Sequence, residues 1–236
     1  MKRALIAASL ALTASVAHAY VIDFGNGPTA PTICSSNTDG SGAFASCADF
    51  SRINQAYGDV AGVVDVTYSE PRFTTELRSM EWWGPDYNNL YGVGFAEGGD
   101  ANSYARVQLA ALGGPLTLTH FDIGAWPHTS RNTHLTVYDL GTNAVLFAYG
   151  STAATPDGLP VGAPPPIDLA TSFNLALTSS TGFRIDFYDS AYNNGIDNIT
   201  FSAAALVPEP ETYAMFMAGL ALLGFVAKRR ARRTAV

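Results

Sequence analysis

Residues 183–188 read Phe-Arg-Ile-Asp-Phe-Tyr. On an extended chain Phe183, Ile185 and Phe187 share one face while Arg184 and Asp186 share the other, because successive strand side chains point to opposite sides. This period of two constrains the fold more than any other feature, since a helix would scatter the same apolar residues around its axis. The pattern recurs at 63–68 (VVDVTY), 104–109 (YARVQL), 116–123 (LTLTHFDI) and 135–138 (LTVY). Between the runs stand the turn formers Gly113-Gly114, Asn132, Gly141-Thr142-Asn143 and Asn193-Asn194-Gly195, which reverse the chain readily. Many short alternating strands and no credible amphipathic helix predict an all-β domain over residues 20–205. Its expected form is a two-sheet antiparallel sandwich of about ten strands, jelly-roll or galactose-binding-like in kind. The Pro-rich stretch 155–166 (TPDGLPVGAPPP) is expected to be an unpaired surface loop, because proline lacks the amide a ladder uses. The first strand, over 20–24, and the last, over 195–201 (GIDNITF), are expected to lie close together, as the ends of a domain often do.

Both ends of the chain depart from this pattern. Met1-Lys2-Arg3 precedes an apolar run at 4–16 (ALIAASLALTASV), and Ala17-His18-Ala19 follows. A positive start, a short apolar middle and small residues at the −3 and −1 positions mark a signal peptide over 1–19, removed by signal peptidase after Ala19. Residues 206–236 form the other segment. Here an uncharged run at 213–227 (YAMFMAGLALLGFVA) leads into Lys228-Arg229-Arg230-Ala231-Arg232-Arg233. As a helix the run is roughly 22 Å long at ~1.5 Å per residue, against a hydrocarbon core of ~30 Å, so it predicts a short transmembrane helix that anchors weakly in the inner membrane. The basic tail sets its direction, because cationic clusters beside a span stay cytoplasmic and leave the preceding domain outside.

Just before the apolar run stands Val207-Pro208-Glu209-Pro210-Glu211, where two prolines stop any strand or helix and leave the backbone extended. The order Pro208-Glu209-Pro210, apolar helix, Arg-rich end resembles the PEP-CTERM sorting signal of Gram-negative bacteria, over residues 207–233 only. The resemblance implies handling by an exosortase, a membrane-embedded cysteine transpeptidase-like enzyme found in species that make exopolysaccharide and biofilm. It also implies transient anchoring in the inner membrane, followed by transfer to the cell surface or extracellular matrix.

With both ends set aside, residues 20–205 hold six arginines, no lysine and 18 of the chain's 20 acidic residues, a formal charge of six minus eighteen, or −12, against −7 for the whole. Such a field repels nucleic acid and anionic headgroups, which excludes nucleic-acid binding. The only cysteines, Cys34 and Cys47, lie in a Gly/Ser-rich part of the exported stretch. In an oxidising compartment they most simply form one disulfide, which would close a loop of about 14 residues and stabilise by on the order of 3 kcal/mol. No Cys-x-x-Cys spacing or nearby histidine supports a thiolate or metal role.

The segment 82–91 (WWGPDYNNLY) carries the strongest ligand chemistry. Aromatic faces stack on the apolar C–H face of a sugar ring while amides and carboxylates satisfy its hydroxyls, so Trp82, Trp83, Asp86, Tyr87 and Asn88 form a candidate sugar site, with Trp126 a second contributor. Adjacent residues on a strand point to opposite faces, so Trp82 and Trp83 cannot both be core beneath one wet face. Calcium, a hard cation wanting six to eight oxygens, has three candidate places. Asp23 on the first strand could join Asp197 or Asn198 on the last. The loop 35–41 has oxygen side chains at alternating positions but serine at the first and twelfth EF-hand positions, and 97–102 (EGGDAN) is a flexible oxygen-bearing loop.

No catalytic residue is assigned. There is no nucleophile elbow, His-Glu-x-x-His or phosphate-binding loop in the sequence, and Glu76 and Glu81, five apart on one strand, would face opposite ways. His120, His128 and His134 match no ligand spacing. Taken together these features imply an exported noncovalent binding or structural module contacting extracellular polysaccharide. A secreted glycan hydrolase or lyase on the same sandwich is the alternative. Intact mass of the protein from cell envelope and medium is expected to give a chain that starts at Tyr20 and ends near Pro210. A chain ending at Val236 in both fractions would mean a permanent anchor instead.

Overall fold

The structure, a computed structural model, describes residues 18–71, 78–87, 90–98, 103–126, 131–132, 134–149, 166–167, 170–189, 191–203 and 216–224. The first half of the domain contributes β1 (His18–Ile22), β2 (Cys34–Ser35), β3 (Phe44–Ala45), β4 (Ser51–Ile53), β5 (Val64–Ser69), β6 (Glu81–Trp83), β7 (Val93–Phe95) and β8 (Ser103–Ala111). The second half contributes β9 (Leu116–Ala125), β10 (Arg131–Asn132), β11 (His134–Asp139), β12 (Val145–Tyr149), β13 (Pro166–Ile167), β14 (Thr171–Ser179), β15 (Gly182–Asp189) and β16 (Asn194–Ala203). Nine strands form a large sheet in the order β14-β9-β16-β7-β6-β4-β2-β3, with β1 also beside β16, and five form a second sheet in the order β12-β11-β15-β8-β5. Neighbours in both sheets are antiparallel.

Alternation places the core between the two sheets. Phe183, Ile185 and Phe187 of β15 and Ala105, Val107 and Leu109 of β8 are fully buried, and they belong to the same apolar cluster as Phe121 and Ile123 of β9 and Ile196 and Phe201 of β16. β9 keeps this up only by changing phase. Leu116 and Leu118 face inward, then Phe121, Ile123 and Ala125 do, and the register with β16 slips around Thr200 where the phase changes. A bulge absorbs the odd residue.

The two ends of the domain meet by direct pairing. Tyr20 lies opposite Phe201 and Ile22 opposite Ile199, and the Tyr20 and Phe201 rings stack at 5.4 Å. β1 starts at His18, two residues before the expected cleavage point. Cys34 and Cys47 are joined, with Cα atoms 5.2 Å apart. The bond ties the turn before β4 to strand β2.

Two expectations change. Pro166, the last residue of the Pro-rich stretch, is paired: it opens β13 and lies opposite Asn132 of β10. A proline, which lacks an amide N–H, is tolerated there because the first residue of a strand need not donate to the ladder; residues 155–165 lie outside those described. The strand total also exceeds ten, because five strands of the large sheet (β2, β3, β4, β6 and β7) have only two or three residues. Such lengths show no period.

The C-terminal unit is described only as a helix, α1, over 216–224. Nine residues give a length of about 14 Å at ~1.5 Å per residue, and Phe216, Met217, Leu222 and Leu223 on it are exposed. Among the described residues no helix is long and apolar enough to cross a membrane; of the run 213–227, expected as a short transmembrane helix, only 216–224 are described, as helix, and the remainder lies outside the described residues.

Gly182 fixes the start of β15. Its φ is +104°, and a Cβ there would lie 1.8 Å from the Leu109 carbonyl oxygen across the ladder. Gly182→Ala is therefore expected to destabilise by on the order of 3 kcal/mol, read as a lower urea midpoint with unchanged slope. A midpoint equal to wild type would contradict this placement.

Candidate functional site

β6 is the pivot of the outer face of the large sheet. Trp82 turns inward: it is 4% exposed, and its Nε1 donates to the Phe24 carbonyl at 2.7 Å. Trp83, one residue on, therefore turns to the other side. There it meets Phe50 edge-on at 4.7 Å, with Phe95 and Trp126 both at 6.1 Å. Tyr87 folds back over this group, buried, its hydroxyl donating to the Tyr192 carbonyl at 3.0 Å.

This outer layer sits close because two glycines lie beneath it. Gly124 of β9 and Gly195 of β16 are directly paired. A Cβ on Gly124 would come 2.4 Å from the Tyr87 carbonyl oxygen, and one on Gly195 would come 2.3 Å from Val93 Cγ2. The result is a cleft of about 30 Å³ lined by Trp83, Tyr87, Phe95, Trp126 and Tyr192. That volume admits about two waters, so a larger ligand would rest on the rings rather than enter between them.

Next to the rings the same face carries an ion cluster. Arg52 of β4, its side chain 10% exposed, reaches Glu70 at 2.8 Å, Glu81 at 3.0 Å and Glu97 at 2.9 Å. Arg78 meets Glu97 at 2.8 Å. Three carboxylates share two guanidinium groups, and burial pushes the Glu81 carboxyl up to about 7 against the pull of Arg52. Glu70 is raised for the same reason. Glu97 of the third calcium candidate is thus held by arginines; residues 99–102, Glu76 and Asn88 lie outside those described. Asp86 is exposed, with a φ of 123°.

At the junction of the first and last strands, Asp197 is 2% exposed and accepts from the Phe24 amide at 2.9 Å. Burial pushes its carboxyl up to about 7, with Asp23 and Asp122 adding to the rise. Asp122 lies opposite Asp197 in the ladder and accepts from Ser172 Oγ at 2.6 Å and Asn198 Nδ2 at 2.8 Å. Asp23 accepts from the Gly25 amide at 2.8 Å. In the 35–41 loop Ser35 Oγ accepts from the amides of Asn37 and Gly42, and Asp39 from Ser41, which closes an ordinary turn. Among the described residues no three or more His, Cys, Asp or Glu side chains are arranged to hold a metal. His120 of β9, in the large sheet, bonds Asn174 and Asp122. His134 is on β11 of the other sheet, and His128 lies outside the described residues.

Thus Trp83, Tyr87 and Trp126 converge on one cleft and Trp82 does not share it. Phe50, Phe95 and Tyr192 complete the aromatic group without any local sequence signal, since each stands alone among unlike neighbours.

Residues 206–232 match the PEP-CTERM protein-sorting motif. The match covers the sorting segment and not the domain; it implies export, an exosortase as the processing partner, and delivery to the cell surface or beyond. No curated protein matches the chain. Among solved structures, the crystal structure of the Podospora anserina GH26-CBM35 beta-(1,4)-mannanase is similar with a TM-score of 0.29 and 19% identity, over 56% of this chain and 26% of that one. A likeness this loose transfers neither topology nor activity.

Glu81 and Asp197 have ordinary values of 4.5 and 3.8 and fold into sites that raise both to about 7. Between those values the folded protein holds more protons than the unfolded chain, so stability falls as pH rises through that window. Asp139 acts oppositely: hydrogen bonds from Ser179 and Thr142 hold it at about 2, a contribution lost as pH falls below about 4. The thermal midpoint is expected to peak near pH 4 to 5 and decline toward pH 8, with a flatter decline in Glu81→Gln and Asp197→Asn. A midpoint that rises from pH 5 to 8 would refute these assignments.

Proposed function

We propose that the exported domain is a noncovalent carbohydrate-binding module, a sandwich of the jelly-roll or galactose-binding-like kind, that contacts extracellular polysaccharide through the face built on Trp83. In this reading the signal peptide over 1–19 carries it across the inner membrane. The apolar run at 213–227 holds it there until an exosortase acts at Pro208-Glu209-Pro210. The observation that supports the binding role is the convergence of Trp83, Phe50 and Trp126 on an outer sheet face, at centroid distances of 4.7 and 6.1 Å. Rings so held keep their geometry without a ligand, so little order is lost when a sugar stacks on them.

A second reading, glycan cleavage, is favoured by one observation. Glu81, pushed up to about 7, has the protonation range of a general acid and lies with Glu70 on the same arginine. One experiment separates the two readings. Mature protein is expected to be retained on insoluble polysaccharide, with Trp83→Ala and Trp126→Ala each weakening retention about tenfold, ~1.4 kcal/mol. Reducing ends released in the same incubation, and lost in Glu81→Gln, would assign cleavage. No retention on any polysaccharide would remove the binding reading.

A further inference from the structure

A groove of about 290 Å³ opens beside the disulfide, lined by Pro28, Thr29, Asp49, Trp82, Pro85 and Tyr91, among others. It shares no lining residue with the Trp83 cleft, and Trp82 and Trp83 turn to opposite sides of β6. The two hollows are therefore separate. At the lower limit of the ~300–1,000 Å³ usual for small-ligand pockets, the groove takes a single sugar unit.

Backbone strain gathers at its walls. Among the described residues four that are not glycine have a positive φ: Phe50, Asp86, Asn143 and Asn198. The two asparagines adopt that conformation readily. The other two, Phe50 at 66° and Asp86 at 123°, each follow a residue that lines the groove, Asp49 and Pro85. The turn at Phe50 is held from both sides, its amide donating to the Trp82 carbonyl at 3.0 Å and the Ser51 amide to the Ala48 carbonyl at 2.9 Å. Strain enforced in this way is characteristic of ligand sites, where it fixes the aim of a neighbouring group.

The group so fixed is a carboxylate. Asp49 is exposed and is the only charged residue in the groove lining. Its Oδ1 accepts from the Gly84 amide at 3.1 Å, and its Oδ2 has no hydrogen-bond partner among the described residues. A Cβ on Gly84 would stand 3.4 Å from both Asp49 Oδ1 and Trp82 Cη2, so the carboxylate and the indole edge share one wall. No guanidinium balances this charge, because Arg52, three positions along the chain, is already shared by Glu70, Glu81 and Glu97. Tyr91, 50% exposed, brings a ring to the same groove. A carboxylate beside an aromatic ring suits an ammonium group, which gains a charge-assisted hydrogen bond from the first and attraction to the face of the second. The field of the domain acts the same way, since a charge of −12 from six arginines and eighteen acids in residues 20–205 draws cations in and repels anions.

We infer that this groove is a second carbohydrate site, specific for a glucosamine unit with a protonated amine, as in a partly deacetylated aminopolysaccharide. The ammonium donates to Asp49 Oδ2 while the C–H face of the pyranose ring stacks on Tyr91. The site stands apart from the Trp83 face and does not rest on that reading.

The test is calorimetric titration of the full-length mature protein with glucosamine tetrasaccharide, N-acetylglucosamine tetrasaccharide and tetralysine. Mildly acidic buffer keeps the amines protonated, and physiological salt screens carboxylates more than ~8 Å away. Glucosamine tetrasaccharide is expected to bind at least tenfold tighter than either of the others. Asp49→Asn, which keeps an acceptor for the Gly84 amide, should weaken it about tenfold with the thermal midpoint within a few degrees of wild type, and Tyr91→Ala should weaken it similarly. Trp83→Ala should leave it unchanged, as should Asp65→Asn, which removes an exposed carboxylate from β5 of the other sheet. Equal affinity for the acetylated sugar would overturn the amine specificity. Equal affinity for tetralysine would assign a cationic peptide instead, and an equal loss in Asp65→Asn would leave only general attraction to an acidic surface. An unaffected Asp49→Asn, or no binding of the glucosamine tetrasaccharide, would remove the site, while retention on polysaccharide and its loss in Trp83→Ala judge the Trp83 face separately.

Discussion

The large sheet is completed by its last strand. β16 lies between β9 on one side and β1 and β7 on the other, so neither the first strand nor the β7 edge of the β6–β7 hairpin, whose other edge pairs with β4, has this partner until the last strand is in place. The Phe24 amide, which bonds Asp197, ties the chain just after β1 to this same strand. Pairings so distant in sequence form slowly, because the entropy of closing a long loop must be lost before the contacts return any stability. For an exported protein this order is consistent with folding after translocation, when the whole domain is available on one side of the membrane.

Insertion of β16 also builds the outer face. Gly195 and Gly124, paired by that insertion, leave the hollow into which Val93 and the Tyr87 turn settle. The aromatic group therefore depends on strand order twice over, through the β6–β7 pairing that orients Trp83 and through the two missing side chains below. Beside it, the Arg52 cluster concentrates three carboxylates in a partly desolvated place. Buried ion pairs of this sort contribute little net stability once desolvation is counted; what they contribute is position, since Arg52 cannot move away without leaving the buried carboxylates of Glu70 and Glu81 without its charge.

How much could be read beforehand varies with strand length. β8, β11 and β15 lie where alternation places them, because six to nine residues carry enough of the period to be recognised. The two- and three-residue strands do not, and they are the ones that frame the candidate site. β9 shows a middle case, its strand legible but its phase change at Thr119 and His120 visible only beside β16. The opposition of Trp82 and Trp83 followed from strand geometry alone. Which of them faced the core did not, because that choice belongs to Phe24, a residue 58 positions away in sequence.

By itself the sequence determined the local matters: the β class, the pairing chemistry of its two cysteines, the acidity of the exported part, and the PEP-CTERM segment at 206–232. Each is encoded by neighbours in the chain, by a composition or by a period. Tertiary structure decided the rest: the nine-strand order, the burial of Trp82, the paired end of the Pro-rich stretch, and the arrival of Phe50, Phe95 and Tyr192 around Trp83. Those outcomes depend on which distant segments can share one desolvated space without leaving backbone amides or carboxylates unpaired, a condition that only the assembled sheets can meet or refuse.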